Sequence, residues 1–578
     1  MPRLPRVAPV LAGLLVLLGG GLVMNPPGRS AEPPASNRAR EGQWATVQRA
    51  LDEGKPKSAL EALAGIEQSA IAAKAWDEAA RAIATRVHAD TGDRPPEDPE
   101  RLVRLEAALQ KAPDEVKPVL EAILANWTWG FFQNNQWRFA QRTQGASGGV
   151  NEEGKAVEGL AGISSWDLPR VVAEVRRRFT AALDPAERLR GLPVGEWNQI
   201  LDKGSMPDSW RPTVWDVVAH DALGFAASGV RGLADPEDLF EFEIDSPALG
   251  TRQEFLAWRP EEATTDADSP LLGEIRLFRR LLEAHALDAD RTALLSADLD
   301  RIERASASAV SPGGDEDRNA RTTKALEVLL ADCGENEVAA MVRHRLAGVV
   351  RQSNEDDAVV KARAIAAAGA ASHPESAGGK LCKNLVAEID GKSLELFTER
   401  TWTAPWPTIR ARHKNVAKLH LRLVKADWLA RLRAGKPQWQ WLDDADRAKL
   451  VAVKPLRAFA VDLPATDNLR DHTHDIKAPE DLPPGAYWVL ASADTDFGAD
   501  DNVVATALVW VSRLAVVSRT NVLPGAGAPL AGHVVDSASG LPLAGVTVQA
   551  FVVDLPATEN LRAHTHDIMA PEDLPPGA

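Results

Sequence analysis

"PWPTIRARHKNVAKLHLRLVKADW", residues 405 to 428, is where the hydrophobic rhythm of the chain changes. Leu419, Leu421 and Leu423 alternate with His420 and Arg422, the two-residue period of a strand with one buried face. Upstream, to about Ile389, the spacing is helical. In "PKSALEALAGIEQSAIAAKAWDEAARAIATRVHAD", residues 56 to 90, Leu60, Leu63, Ile66 and Ala70 share one helical face, and Trp76, Ala80, Ile83 and Val87 share another. Gly54 and Pro56 punctuate the start of this pair. Further on, "DSPLLGEIRLFRRLLEAHA" offers Ser269 or Asp268 as N-cap, Pro270 at the first helical position, and Ile275, Phe278 and Leu282 along one face.

Downstream of the change, strands are expected at Leu450–Val461, Tyr487–Ala491, Val503–Val517, Leu530–Val535 and Val546–Val553. Turn-rich spacers such as "DLPPGA", "DTDFGADDN", "PGAGAP" and "DSASGLPLAG" separate them. The expected fold is a multidomain α + β chain. An α-helical hairpin array of tetratricopeptide-like type, without a regular period of about 34 residues, is followed by antiparallel β-sandwich modules. The expected domains are residues 1–31 (signal peptide or signal anchor), 32–390 (helical array), 391–517 (a β-sandwich) and 518–578 (the start of a second sandwich, incomplete). Breaks in the array are expected at the polar stretches 143–154 and 311–320.

The totals agree with three or four folded domains: 578 residues, 45% hydrophobic and 26% charged. A net charge of -16, without a basic stripe interleaved with aromatics, argues against nucleic acid or an anionic membrane as main partner. Arg3 and Arg6 precede an apolar run from Val7 to Met24 and then "NPPGRSAEPPAS", the layout of a secretory signal. Export to the periplasm or the extracellular space follows. Left uncleaved, the apolar run of about 18 residues approaches spanning length and would anchor the chain to the inner membrane. Two cysteines, Cys333 and Cys382, are too few for a disulfide framework in an exported chain; one bridge and two buried thiols are the alternatives.

Several stretches together resemble the amino-terminal half of bacterial alpha-2-macroglobulin family proteins. In the helical part they are "ILANWTWGFFQNNQWRFAQRT" (123–143), "SWRPTVWDVVAHDALGF" (209–225) and "SHPESAGGKLCKNLVAEIDGKSLEL" (372–396). In the strand part they are "RARHKNVAKLHLRLVKADW" with its Lys414-Asn415-Val416 core, "LPPGAYWVLASAD", and "VVSRTNVLPGAGAPLAGHVVDSASGLPLAGVTVQAF", the last similar to macroglobulin and carboxypeptidase-regulatory sandwiches. The resemblance covers about Gln43 to Phe551. It implies macroglobulin-like β-sandwiches and endopeptidase inhibition by trapping, with proteases or other envelope proteins as partners. It also implies a bait segment and a Cys-x-Glu-Gln thioester further along the family plan, neither of which is located in this chain. A helical scaffold with sandwich spacers is the alternative reading.

No catalytic constellation and no cofactor motif stands out: His-Glu-x-x-His, Gly-x-Ser-x-Gly and phosphate-loop patterns do not occur. Cys333-Gly334-Glu335-Asn336 is one methylene short of a thioester sequence and sits where a helix-helix turn is expected, so it is read as a turn. His472 and His474 with Asp475, repeated as His564 and His566, have strand spacing for a metal pair but lack further ligands; a surface loop is the preferred reading. Trp127, Trp137, Trp215, Trp428, Trp488 and Trp510 occupy apolar-periodic positions and are assigned to cores. Trp439 and Trp441, on one side of an expected strand, are read as core or an inter-domain contact, with an exposed aromatic pair as the alternative.

Near its end the chain repeats itself. Phe459–Ala486 and Phe551–Ala578 are identical at 24 of 28 positions. The first copy runs on into "YWVLASAD" and the second has no such continuation. The second is therefore expected to be loosely held and its sandwich incomplete.

Overall fold

In the computed structural model the described residues are 40–92, 98–140, 159–184, 186–198, 200–228, 240–262, 264, 269–428, 430, 442, 444–499, 502–519 and 531–547. The signal segment, the stretch 143–154, Trp439, Trp441 and the second copy of the repeat lie outside them. The chain divides into two compact units, Met1–Glu237 and Asp238–Ala578. It is an α + β chain, helical to Asp390, with sheets beyond.

The first unit is helical. Its first three helices are α1 (Glu41–Asp52), α2 (Pro56–Ala72) and α3 (Trp76–Thr91). Of the faces expected from spacing, Leu63, Ile66 and Ala70 in α2 and Ala80, Ile83 and Val87 in α3 are buried, while Leu60 and Trp76 at their starts are half-buried. Gly54 takes the left-handed conformation between α1 and α2, and Pro56 opens α2. There follow α4 (Glu100–Lys111), the long α5 (Lys117–Ala140), α6 (Leu168–Leu183), the short α7 (Ala186–Arg190) and α8 (Val214–Ala227). Arg178, 3% exposed along its side chain, lies between three carboxylates and forms ion pairs with Glu106, Glu121 and Glu174. A buried guanidinium of this kind is tolerated only when so surrounded. Trp127 and Trp215 are core residues, but Trp137 is 62% exposed, with Arg138 stacked against its ring. The helical period of α5 places it one step outside the apolar face, so its assignment to the core is corrected.

The second unit begins with the short α9 (Arg252–Ala257), whose Thr251 and Glu254 close a capping box. The next helices are α10 (Pro270–Ala284), α11 (Thr292–Ser308), α12 (Gly314–Cys333), α13 (Val338–Arg351), α14 (Ala358–Ser372) and α15 (Ala377–Asp390). Ser269 caps α10 through its side chain, and Ile275, Phe278 and Leu282 are buried. At the stretch 311–320 the chain turns between α11 and α12 only as far as Gly313, and Gly314 to Ala320 already belong to α12. Three acidic residues in the first turn, Asp315, Glu316 and Asp317, suit the positive end of the helix dipole, which is why so polar a segment is helical.

Among the described residues the strands that follow are β1 (Ser393–Phe397), β2 (Thr401–Trp402), β3 (Thr408–Lys414), β4 (Lys418–Lys425), β5 (Arg457–Asp462), β6 (His472–Lys477), β7 (Gly485–Ser492), β8 (Val504–Val511), β9 (Leu514–Arg519) and β10 (Ala531–Asp536). They form a three-stranded sheet in the order β1-β3-β6 and a five-stranded sheet in the order β2-β8-β7-β4-β5; β9 and β10 pair separately. These pairings are antiparallel except that of β2 with β8. The two larger sheets face each other across one core, into which β3 sends Ile409 and Ala411, β4 sends Leu419, Leu421 and Leu423, and β7 sends Tyr487, Val489 and Ala491. The alternation of β4 is as expected, with Leu419, Leu421 and Leu423 inward.

Two strand assignments and one loop assignment are corrected. Residues 450–452 end a helix, α16 (Asp444–Ala452), and only Arg457–Asp462 of that stretch is strand. Val503–Val517 is two strands in different sheets, interrupted at Ser512 and Arg513, where the Ser512 hydroxyl accepts from Leu514 N and donates to its carbonyl. "HTHD" is not a loop but the start of β6. Of the stretch 546–553, residues 548–553 lie outside the described residues.

The "GG" of the third helical stretch has a packing reason. A Cβ at Gly378 would stand 2.2 Å from Met341 N and 2.6 Å from Ala340 C, so α15 crosses α13 backbone to backbone. Replacing Gly378 by alanine is expected to destabilise the second unit by about 1–3 kcal/mol, the range of core overpacking. Gly348→Ala in α13, where the added Cβ meets nothing within 4 Å, is expected to be neutral or stabilising by up to about 1 kcal/mol. Urea unfolding of the two variants checks the contrast.

Candidate functional site

A helix ends with backbone carbonyls that have no partner inside the helix. At the end of α15 one side chain answers this. Asn415, between β3 and β4, donates from its amide nitrogen to the carbonyls of Ile389 at 3.1 Å, Asp390 at 3.1 Å and Gly391 at 3.3 Å. Its φ of 57° is left-handed, a conformation asparagine tolerates better than most residues. The Asn415 backbone N–H donates to Thr466 Oγ1, and Lys414 Nζ donates to Glu388 O, adding positive charge at the negative helix end. The Lys414-Asn415-Val416 motif is thus a clamp: two residues hold the helix and Val416 enters the sandwich core.

A second set of contacts comes from the segment before β6. Arg470 Nη2 donates to Ser353 O at 2.9 Å and Glu355 O at 2.7 Å in the turn between α13 and α14. Asn468 Nδ2 donates to Asp356 Oδ1 at 2.8 Å. Leu469, at a φ of 56°, packs onto the helical cluster of Val359, Ala362, Ala366, Cys382, Leu385 and Ile389. A leucine in that backbone region is strained and persists because its surroundings over-determine it. These contacts explain why the change from helix to strand at 390–393 lies inside a compact unit.

Beneath the clamp lie three histidines. His413 on β3 is fully buried, opposite His472 in the β3–β6 register; His474 on the same face of β6 stands opposite Ala411. The His413 and His472 rings are 6.4 Å apart. Burial pushes the His413 pKa down; the neighbouring His472 and His474 add to this, while a backbone hydrogen bond to Val416 and the Asp471 carboxylate oppose it. His472 is fixed by Asn468 Oδ1 at 2.8 Å. Asp475 points to the opposite side of β6 and pairs with Arg410, so it is not brought to the histidines. Among the described residues no group of three or more His, Cys, Asp or Glu is placed to hold a metal ion.

The other candidates lie elsewhere. Cys333 ends α12 and is buried, its thiol pushed up to about 12 by burial and by Asp332. Gly334 takes a φ of 54°, Glu335 O meets His373 Nε2 at 3.0 Å, and Asn336 donates to Thr292 Oγ1 while its carbonyl oxygen caps Val338 N. The Asn336 amide is therefore engaged in fixing the turn. Cys382 is a buried free thiol donating to Ala340 O.

In the first unit, two of the helical stretches named above meet: Asn126 on α5 donates to Asp221 on α8 at 2.6 Å. Burial raises the Asp221 pKa to about 7, against the Asn126 hydrogen bond and the Arg211 and His220 charges. Asn126 and Asp221 carry no signal in a single sequence, since isolated polar residues look alike there. The one clue to Asn468, Leu469 and Arg470 is their recurrence in the repeat.

This arrangement holds elements together and includes groups whose pKa values burial displaces. Comparison with family models, curated proteins and solved structures finds no match to this chain.

Asn415→Ala is expected to cost about 1–3 kcal/mol, because three carbonyls lose their donor and alanine is strained at this φ; Asn415→Gly recovers only the backbone part. Denaturant titration of both variants measures the split. For His413 the sign is fixed by its lowered folded pKa. Stability is full above the unfolded value near 6.5 and falls as pH drops below it, since the unfolded chain then takes up the proton more readily. His413→Gln is expected to flatten that fall, so the stability difference between variant and parent narrows from pH 7.5 to pH 5.

Proposed function

We propose that this chain is the amino-terminal, non-enzymatic portion of an exported alpha-2-macroglobulin-like endopeptidase inhibitor. The observation that carries the reading is the clamp at Asn415. It gives the Lys414-Asn415-Val416 motif, central to the sequence resemblance, a physical role in mounting the first β-module on the helical array. A trap must hold its modules at fixed spacing while a bait is cut, and several charge-assisted bonds to main-chain carbonyls supply stiffness where a flexible linker would not. In this reading the sandwich of β1–β8 is macroglobulin-like and the β9–β10 hairpin opens a second module. The bait and the thioester belong to parts of the family plan that are not located here. The described site acts as a mount for them, not as their seat.

The same clamp suits an extracytoplasmic scaffold, in which helical hairpins bind an envelope protein and the sandwiches act as spacers. One assay separates the two. Native protein is captured from its own cells with an antibody against residues 150–370 and mixed with serine, cysteine and metallo-endopeptidases. The trap reading expects cleavage of a large protein substrate to fall several-fold while hydrolysis of a small chromogenic peptide persists. Unchanged cleavage of both substrates by all three classes contradicts it, and stable co-capture of an envelope protein in that case establishes the scaffold.

A further inference from the structure

A cleft of about 190 Å³ lies in the second unit between α12 and the turn that leads into α9. Its helical wall is Arg321, Lys324, Ala325 and Val328, one stripe of α12 at spacings of three, four and seven residues. Leu249 and Gly250 belong to the opposite wall. That wall is held in place, because the buried Arg301 of α11 donates to the carbonyls of Ala248 and Gly250. The space is of the order that holds a benzene-sized ligand inside a protein, about 150 Å³.

The two cations of the cleft are uncommitted. Among the described residues Arg321 and Lys324 form no hydrogen bond and no ion pair. Other guanidinium groups of this unit that are shielded to a similar degree are paired: Arg252 with Asp298 and Asp332, Arg279 with Glu261, Arg304 with Glu274. Arg321 departs from that pattern. Its Nε is sealed from solvent without a partner, which costs free energy that a bound anion would offset. The carboxylate in the cleft does not supply that anion. Glu254 accepts from Thr251 N at 2.7 Å and from Thr251 Oγ1 at 2.9 Å. These two bonds come first in holding its carboxyl below the usual range, ahead of the charges of Arg321 and Lys324.

What the cleft offers is positive charge beside apolar surface. A guanidinium takes a carboxylate through parallel N–H···O bonds, and an ammonium one helical turn away adds charge at the same place. Leu249 and Ala325 are buried, and Val328 is 45% exposed on the same stripe. A bare inorganic anion would leave this apolar surface unused, and a hydrocarbon would leave the cations unpaired. We propose that the cleft binds an aliphatic carboxylate, presented either by a free small acid or by the C-terminus of a peptide whose last residue is aliphatic. The site is independent of the trap reading and stands on the cleft alone.

Ligand-observed NMR titration of the full chain tests it. The probes are isocaproate as the free acid, acetyl-Ala-Leu as the peptide carboxylate, and acetyl-Ala-leucinamide as the uncharged control. The expected result is saturable binding of at least one carboxylate, weakened by salt, and none of the amide. Tighter binding of acetyl-Ala-Leu than of isocaproate assigns the site to peptide ends, and the reverse order assigns it to free acids. Arg321→Gln is expected to weaken binding roughly ten- to a hundredfold. Lys324→Gln is expected to weaken it several-fold, and Val328→Asp, which sets a negative charge on the apolar wall, to abolish it. Lys324 and Val328 are exposed, so both variants leave the packing of α12 intact. Absence of saturable binding of either carboxylate overturns the proposal. So does equal binding of acid and amide, or binding that Lys324→Gln and Val328→Asp both leave unchanged.

Discussion

The second unit depends on how the last turn of a helix is satisfied. The end of α15 offers carbonyls at Ile389, Asp390 and Gly391, and where such a main-chain group is screened from water, as beside the buried Ile389, leaving it without a donor costs about 1–3 kcal/mol. A glycine cap on the helix itself would have served locally. Here the donor comes from the far end of β3, so that finishing the helix and positioning the sheet are one event. Arg470 repeats the device at the α13–α14 turn, and Leu469 fills the space between with apolar surface. The short link of Gly391 and Lys392 between α15 and β1 then has no freedom to act as a hinge.

The histidines lie under this joint, and their placement follows from strand geometry. On β3 the inward positions are Ile409, Ala411 and His413; on β6 they are His472, His474 and Ile476. The inner face of the small sheet is therefore apolar at one end and imidazole-lined at the end nearest the clamp. Protonation in that place meets low dielectric and other imidazoles, which disfavour the charged form. The opposite sign holds for Asp221 and for Glu303, both raised to about 7 with burial as the main cause. For these, the cost of carrying charge in the folded state appears as pH rises. The acid sensitivity of the sheet is thus set against two carboxyls that favour lower pH, so only a site-specific variant isolates it.

Much of this architecture is legible in the sequence, and the misreadings have a common cause. The α2, α3 and α10 faces and the alternation of β4 are legible because each rests on spacing, and spacing survives without tertiary information. Trp137 is misplaced by sequence because a residue's size says it should be buried, whereas the turn of α5 decides whether it is. "HTHD" reads as a loop because it is polar; it is a strand whose histidines face inward, which alternation over so few residues cannot reveal. Val503–Val517 reads as one strand because the hydroxyl of Ser512 that breaks it is inconspicuous among valines. The joint itself is half visible. The motif around Asn415 stands out by resemblance, but its role needs the carbonyls of a helix some 25 residues earlier.

If the joint is what unites helices and sheet, then α15, the β3–β4 turn and the segment before β6 open and close together. Native-state amide hydrogen exchange on the full chain measures this directly, comparing the parent with Arg470→Ala. A single cooperative unit loses protection to the same extent in α15, β3 and β6, although the substitution touches only the α13–α14 turn. Loss confined to residues 351–357 and 466–472, with α15 and β3 unchanged, would contradict it.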